Sequence, residues 1–227
     1  MATPGSSPAQ NPFTPSELVL LNGDQFATPV RFGNNVSLVH TEGKVSAEQL
    51  GQAILTAAIL SAEQAGDLRL EARQKRAMMG LRKVTTLYAV PGRNASPWPE
   101  GSLERQLGPL AQRLLTDKGQ NEVSNVIYAW LGQDSAVPWT VAIDHVKQGL
   151  ATRGLLETVE EKKLKLFTSK SYLVTDRTAA LVAKQPLAAV HDLLATMQRD
   201  RPEVWQLLTN QIRDAVRRRT EKTDVDF

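Results

Sequence analysis

The stretch Trp139–Asp176 constrains the fold most, because within it the hydrophobic period changes from that of a helix to that of a strand. Trp139, Ile143, Val146 and Leu150 fall at i, i+4, i+7 and i+11, which places four apolar side chains on one helical face. Gly154, preceded by Arg153, follows the last periodic residue and suits a helix C-terminus both sterically and electrostatically. Leu155–Val159 and Leu164–Thr168 then read as two strands around the polar turn Glu160–Lys163. Leu164 and Leu166 alternate against Lys163 and Lys165, so one face is expected to be buried. Thr175 and Asp176 cap the next helix.

Helix signals recur on both sides of this stretch. Thr14, Pro15 and Glu17 form a capping signal for a short helix that Gly23 ends, with Phe13 against Leu18 as a staple. A strand at Val36–Val39 is expected in the polar segment that follows. Ser46–Gln49 opens a long helix through Leu50, Ile54, Ala57 and Ala58 to Ala65. It is apolar on more than one side and is therefore expected to be central. Asp67–Glu71 alternates as a strand and Leu81–Val90 is rich in β-formers, which makes a second hairpin across a basic loop. Ser102 caps a helix carrying Leu103, Leu107, Leu110 and Leu114, in which Gly108 and Pro109 are expected to kink or restart the chain. Val123–Leu131 is amphipathic, and helices through Val182, over Leu187–Met197 and from Pro202 to Arg217–Arg219 complete the set. No βαβ alternation and no internal repeat occur. The expected fold is mainly α, a single globular domain of roughly seven or eight helices with two β-hairpins over residues 13–220. A disordered tail at 1–12 and a short one at 221–227 flank it.

Composition narrows the chemistry. There is no cysteine, which removes disulfides and thiolate sites and fits a reducing compartment. The longest uninterrupted apolar run, near Ala57–Leu60, falls far short of the ~20 residues of a spanning helix, and no basic-then-apolar signal opens the chain. Phosphate-loop, dinucleotide, zincin and serine-hydrolase motifs are all missing, so no enzyme activity and no cofactor are expected. His40, His145 and His191 stand far apart. Asp144 and His145 are adjacent on a helix and point about 100° apart, which does not make a base and its orienter. The net charge of +3 favours anionic partners only slightly. Locally the bias is larger: Arg69, Arg73, Lys75, Arg76, Arg82 and Lys83 face only Asp67 and Glu71 between residues 67 and 83. Among the tryptophans, Trp130 and Trp205 read as core, whereas Trp98 between two prolines and Trp139 after Pro138 read as candidates for exposure.

The string RGLLETVEEKKLKLFTSKSYLVTD resembles the block of basic helix, Gly-Val/Leu-Leu, charged turn and Leu-x-Leu-Phe of the Golgi phosphoprotein 3 family. SELVLL, GQAILTAAILSAEQAGDLRLE and GLRKVTTL resemble other stretches of that family in the same order, so the likeness spans roughly Phe13–Val182. The resemblance implies a non-enzymatic peripheral membrane adaptor that binds phosphatidylinositol 4-phosphate on a cytosolic membrane face and holds protein clients. It also implies that the 155–174 hairpin contributes to membrane contact or to a homo-oligomer. The family's headgroup pocket takes a tryptophan before the first long helix, an arginine within it, and an Arg-x-x-Arg pair in the helix before the hairpin. Here Phe32–Ser46 holds no tryptophan, Ala47–Ala65 holds no lysine or arginine, and Thr140 and Ile143 stand at the pair. Lipid contact is therefore expected to be electrostatic, through Arg73, Lys75, Arg76, Arg82 and Lys83, with Trp139, Lys147 and Arg153 as candidates for a substitute pocket.

A second class fits the same order of elements. Helix Val123–Leu131, helix Trp139–Arg153 and a charged hairpin match a winged helix for nucleic acid, with Lys162, Lys163 and Lys165 on the wing. The would-be recognition helix offers only Lys147 and Arg153 as cations, and Glu157, Glu160 and Glu161 nearly neutralise the wing. Nucleic acid is thus the weaker expectation.

Overall fold

The longest helix organises everything else. In the computed structural model, which describes residues 12–77, 82–94, 96–163 and 167–220, eight α-helices and three two-stranded antiparallel sheets form one mainly α fold. The helices are α1 (Pro15–Leu21), α2 (Ala47–Ala65), α3 (Leu103–Lys118), α4 (Val123–Leu131), α5 (Pro138–Thr152), α6 (Asp176–Val182), α7 (Ala188–Asp200) and α8 (Pro202–Arg218). Leu50, Ile54, Leu55, Ala57, Ala58 and Ala62 of α2 are wholly removed from solvent. α2 packs against α1, α3, α5, α7 and α8. A helix apolar all round is stable only when neighbours surround it, which is what these five supply.

Local signals set most boundaries. The Ser46 hydroxyl accepts from the Gln49 amide at the start of α2, and Thr175 does the same for Thr178 at α6. Gly154 takes φ +69° after α5, a conformation that a side chain would strain. Of the kink or restart expected in α3, the restart does not occur: it runs through Pro109 as one helix. Arg105, whose carbonyl the missing Pro109 N–H would have met, is exposed, as is Pro109, so water can serve that carbonyl.

The strands also depart from the sequence-based boundaries. A small third hairpin pairs β1 (Asn35–Ser37) with β2 (Lys44–Ser46). β3 (Leu68–Ala77) pairs with β4 (Arg82–Pro91) over ten residues each, so the cations expected in a basic loop stand on strands. The β-forming run Val84–Val90 needs partners along its whole length, and Glu71–Gln74 supply part of them. β5 (Leu156–Lys163) pairs with β6 (Phe167–Val174), which moves the expected turn at Glu160–Lys163 into the strand. This register pairs Glu160 with Lys170 and recruits Tyr172, Leu173 and Val174, strong strand formers that a turn at 160–163 would leave without partners. Leu164 and Leu166, expected to fix this hairpin to the core, lie outside the described residues, as do Lys165 and the tails at 1–11 and 221–227.

Candidate functional site: the basic β3–β4 arm

The β3–β4 hairpin is two things along its length. Its base belongs to the core: Leu68, Leu70, Leu87 and Ala89 are buried. Glu63 of α2 accepts from the Leu70 amide at 3.0 Å, and the Asn121 amide side chain and carbonyl bracket Ala89 at 2.9 Å. Beyond the Ala72–Leu87 pair, Thr86 is buried and the next described residues are not. Arg73, Gln74, Lys75, Lys83, Val84 and Thr85 are all exposed, so the outer half stands off the body as an arm. Alternation explains the difference, because apolar residues occupy the inward positions only near the base and polar ones occupy both faces farther out.

Register places Arg69, Arg73 and Lys75 on one face, opposite Val90, Thr86 and Val84. Each of these cations already has an anion. Glu71 accepts from Arg73 at 2.5 and 3.0 Å and also pairs with Arg69. The Arg73 hydrogen bond holds the Glu71 carboxyl below its ordinary pKa. The Arg73 guanidinium lies 5.1 Å from the Tyr88 ring centre, a cation–π contact that fixes it further. Lys75 reaches Glu122, at the start of α4, at 3.0 Å. Sequence reasoning missed Glu122, which lies 47 residues away and is brought alongside by the Tyr88–Glu122 bridge and the Asn121–Ala89 hydrogen bonds. Lys83 has no carboxylate partner among the described residues. Arg76 and Arg82 have strand backbones, and their side chains are outside the description. Counting Glu122, six cations meet three anions, a surplus of three in place of four.

The substitute pocket is not assembled. Trp139, expected to be exposed, is 8% accessible and lies over Gly51 of α2, where an added Cβ would stand 2.8 Å from the indole. It closes the gap between α2 and α5. Lys147 is 7% accessible, its ammonium 3.3 Å from Asp144 and 5.9 Å from the Tyr172 ring centre. Arg153 donates to the Pro12 carbonyl at 2.9 Å and pairs with buried Glu17. The three side chains serve three separate contacts. The first is there because an indole fills interhelical volume, and the other two because a stem packs while its head meets a carboxylate.

The same facts bear on the nucleic-acid geometry. α4, α5 and the β5–β6 hairpin follow one another as a winged helix requires, yet both cations of the would-be recognition helix are committed internally. His145 sits edge-on to Trp130 with ring centres 5.2 Å apart, and burial lowers its pKa against the opposing pull of Asp144. Trp130 is buried as expected, and Trp205 is half-buried against the core. Trp98 is half-buried with its indole N–H donating to Asp67, which also accepts from the amide and hydroxyl of Ser96 at 2.8 Å. That network lines a cavity of about 650 Å³ between α3 and the loop after β4.

No protein-family model matches the chain, and no curated protein sequence matches it significantly. No helix among the described residues is long and apolar enough to cross a membrane.

Proposed function

We propose that this chain is a non-enzymatic peripheral membrane adaptor that meets an anionic lipid surface through the β3–β4 arm. In this reading charge density, and not headgroup shape, governs binding. The observation that carries the reading is the arm itself: ten-residue strands on which Arg73, Lys75 and Lys83 are exposed and along whose sequence cations outnumber anions. At ~1 kcal/mol per basic residue near an anionic leaflet, a surplus of three gives ~3 kcal/mol, roughly a hundredfold in partition. That assists contact without anchoring, so clients or a second copy would add to it. Leu173 on β6, 52% exposed beside a cavity of about 610 Å³ against the β1–β2 turn, is the apolar position suited to a second copy. A cytosolic membrane face supplies the anionic surface, and phosphatidylinositol 4-phosphate would be bound as one anionic lipid among others. The order of α4, α5 and β5–β6 favours the nucleic-acid alternative, and the internal pairing of Lys147 and Arg153 weighs against it.

Sedimentation with neutral and with phosphatidylserine-containing vesicles tests the proposal. Binding confined to anionic vesicles and fading as salt rises from 50 to 300 mM (roughly halving the Debye length) is expected. No binding to either at low salt, with retention by duplex DNA instead, would favour the alternative.

A further inference from the structure

Two carboxylates are buried where α1 meets α3 and α5, and among the described residues one guanidinium lies with them. Glu17 of α1 is fully buried, accepts from the Thr14 amide at 2.9 Å and pairs with Arg153. Glu104, in the first turn of α3, is 1% accessible. Its two oxygens receive the Ser16 amide and the Ser16 hydroxyl, each at 3.0 Å. These donors are neutral. Arg153 also donates to the Pro12 and Gly149 carbonyls, and Arg105, next to Glu104 in sequence, is exposed. Asp67, across the adjoining cavity, holds its own three donors and supplies no cation. One buried negative charge therefore balances Arg153 and a second has no counterion.

We infer that Glu104 is a proton-operated latch: protonated, it holds α1 on the body of the fold, and ionised, it loosens α1. The protonated form completes a chain in which Glu104 Oε2–H donates to Ser16 Oγ and Ser16 Oγ–H to Thr14 Oγ1, 3.2 Å away. Ionisation leaves an uncompensated charge beside Glu17. Burial, with the Glu17 charge as the second cause, raises the Glu104 pKa from 4.5 to about 7, and burial raises Glu17 in the same direction against Arg153. A carboxyl whose folded pKa lies above its unfolded value binds more protons when folded. Its stabilisation is complete below 4.5 and is lost as pH rises through about 7. α1 bears on α2, α5 and α7 and buries Leu18, Val19, Leu20 and Leu21, so its release would uncover apolar surface on the longest helix.

Hydrogen exchange of the α1 amides, corrected for the intrinsic rate, reads the latch directly. Their opening constant should rise on the order of tenfold between pH 6 and pH 8, while the amides in the middle of α2 stay unchanged. Glu104→Gln, neutral at every pH and able to accept from the Ser16 amide, should abolish that rise and slow α1 exchange at pH 8. Ser16→Ala keeps the carboxyl and removes a hydroxyl whose bond to the charged form is stronger than its bond to the protonated form, so it should move the midpoint upward; it decides the matter if the glutamine variant does not fold. A flat profile in the parent chain, a rise that survives Glu104→Gln, a midpoint unmoved by Ser16→Ala, or a rise shared equally by α2 would each overturn the inference.

Discussion

The two long hairpins have similar lengths and opposite relations to charge. β3–β4 carries six cations against three anions once Glu122 is counted, and Arg73, Lys75 and Lys83 among them are exposed. β5–β6 carries Lys162, Lys163, Lys165 and Lys170 against Glu157, Glu160 and Glu161, with Lys170 and Glu160 opposite each other at 3.7 Å. The first element keeps an excess of cations after its pairs are counted, and the second comes close to balance. A hairpin's shape therefore does not decide whether it attracts an anionic surface; the sign balance along its strands does.

The contrast can be sharpened by substitution, and the largest effect is expected at the base of the first hairpin. Leu87 is wholly buried there, so Leu87→Ala should cost about 2 to 5 kcal/mol in a denaturant melt. Leu173→Ala on the second hairpin should change stability by under about 0.5 kcal/mol. Equal costs would mean that β5–β6 is fastened to the core as firmly as β3–β4. Next, replacing Arg73, Lys75 and Lys83 by serine should weaken vesicle binding by ~3 kcal/mol with little change in the melt. The matching change of Lys162, Lys163 and Lys165 should leave vesicle binding nearly intact, and a loss of similar size would move the contact to the second hairpin. The smallest effect is expected from Glu122→Gln, which frees Lys75 from its partner and should strengthen vesicle binding by ~1 kcal/mol, about fivefold.

Sequence made the helical body readable because its signals are local. The caps at Ser46 and Ser102, the stop at Gly154 and the all-round apolar face of α2 each depend on residues a few positions apart. Hairpin boundaries were less legible, because runs of polar residues give no apolar alternation to read, as at Arg73–Lys75 and Glu160–Lys163. Least legible were partners brought together by the fold. Nothing near Lys75 announces Glu122, nothing near Trp139 announces Gly51, and Glu104 meets Ser16 across 88 residues. A tryptophan after a proline reads as a surface residue from its neighbours alone, and only the glycine beneath it reveals a packed one.

The central claim is that this arm recognises charge and not a headgroup. Flotation with vesicles of equal surface charge, one set carrying phosphatidylinositol 4-phosphate and the other only phosphatidylserine, measures that directly at physiological ionic strength. Equal binding to both, lost together as salt rises, is the expected result. A clear preference for the phosphorylated inositol lipid that persists at high salt would contradict it.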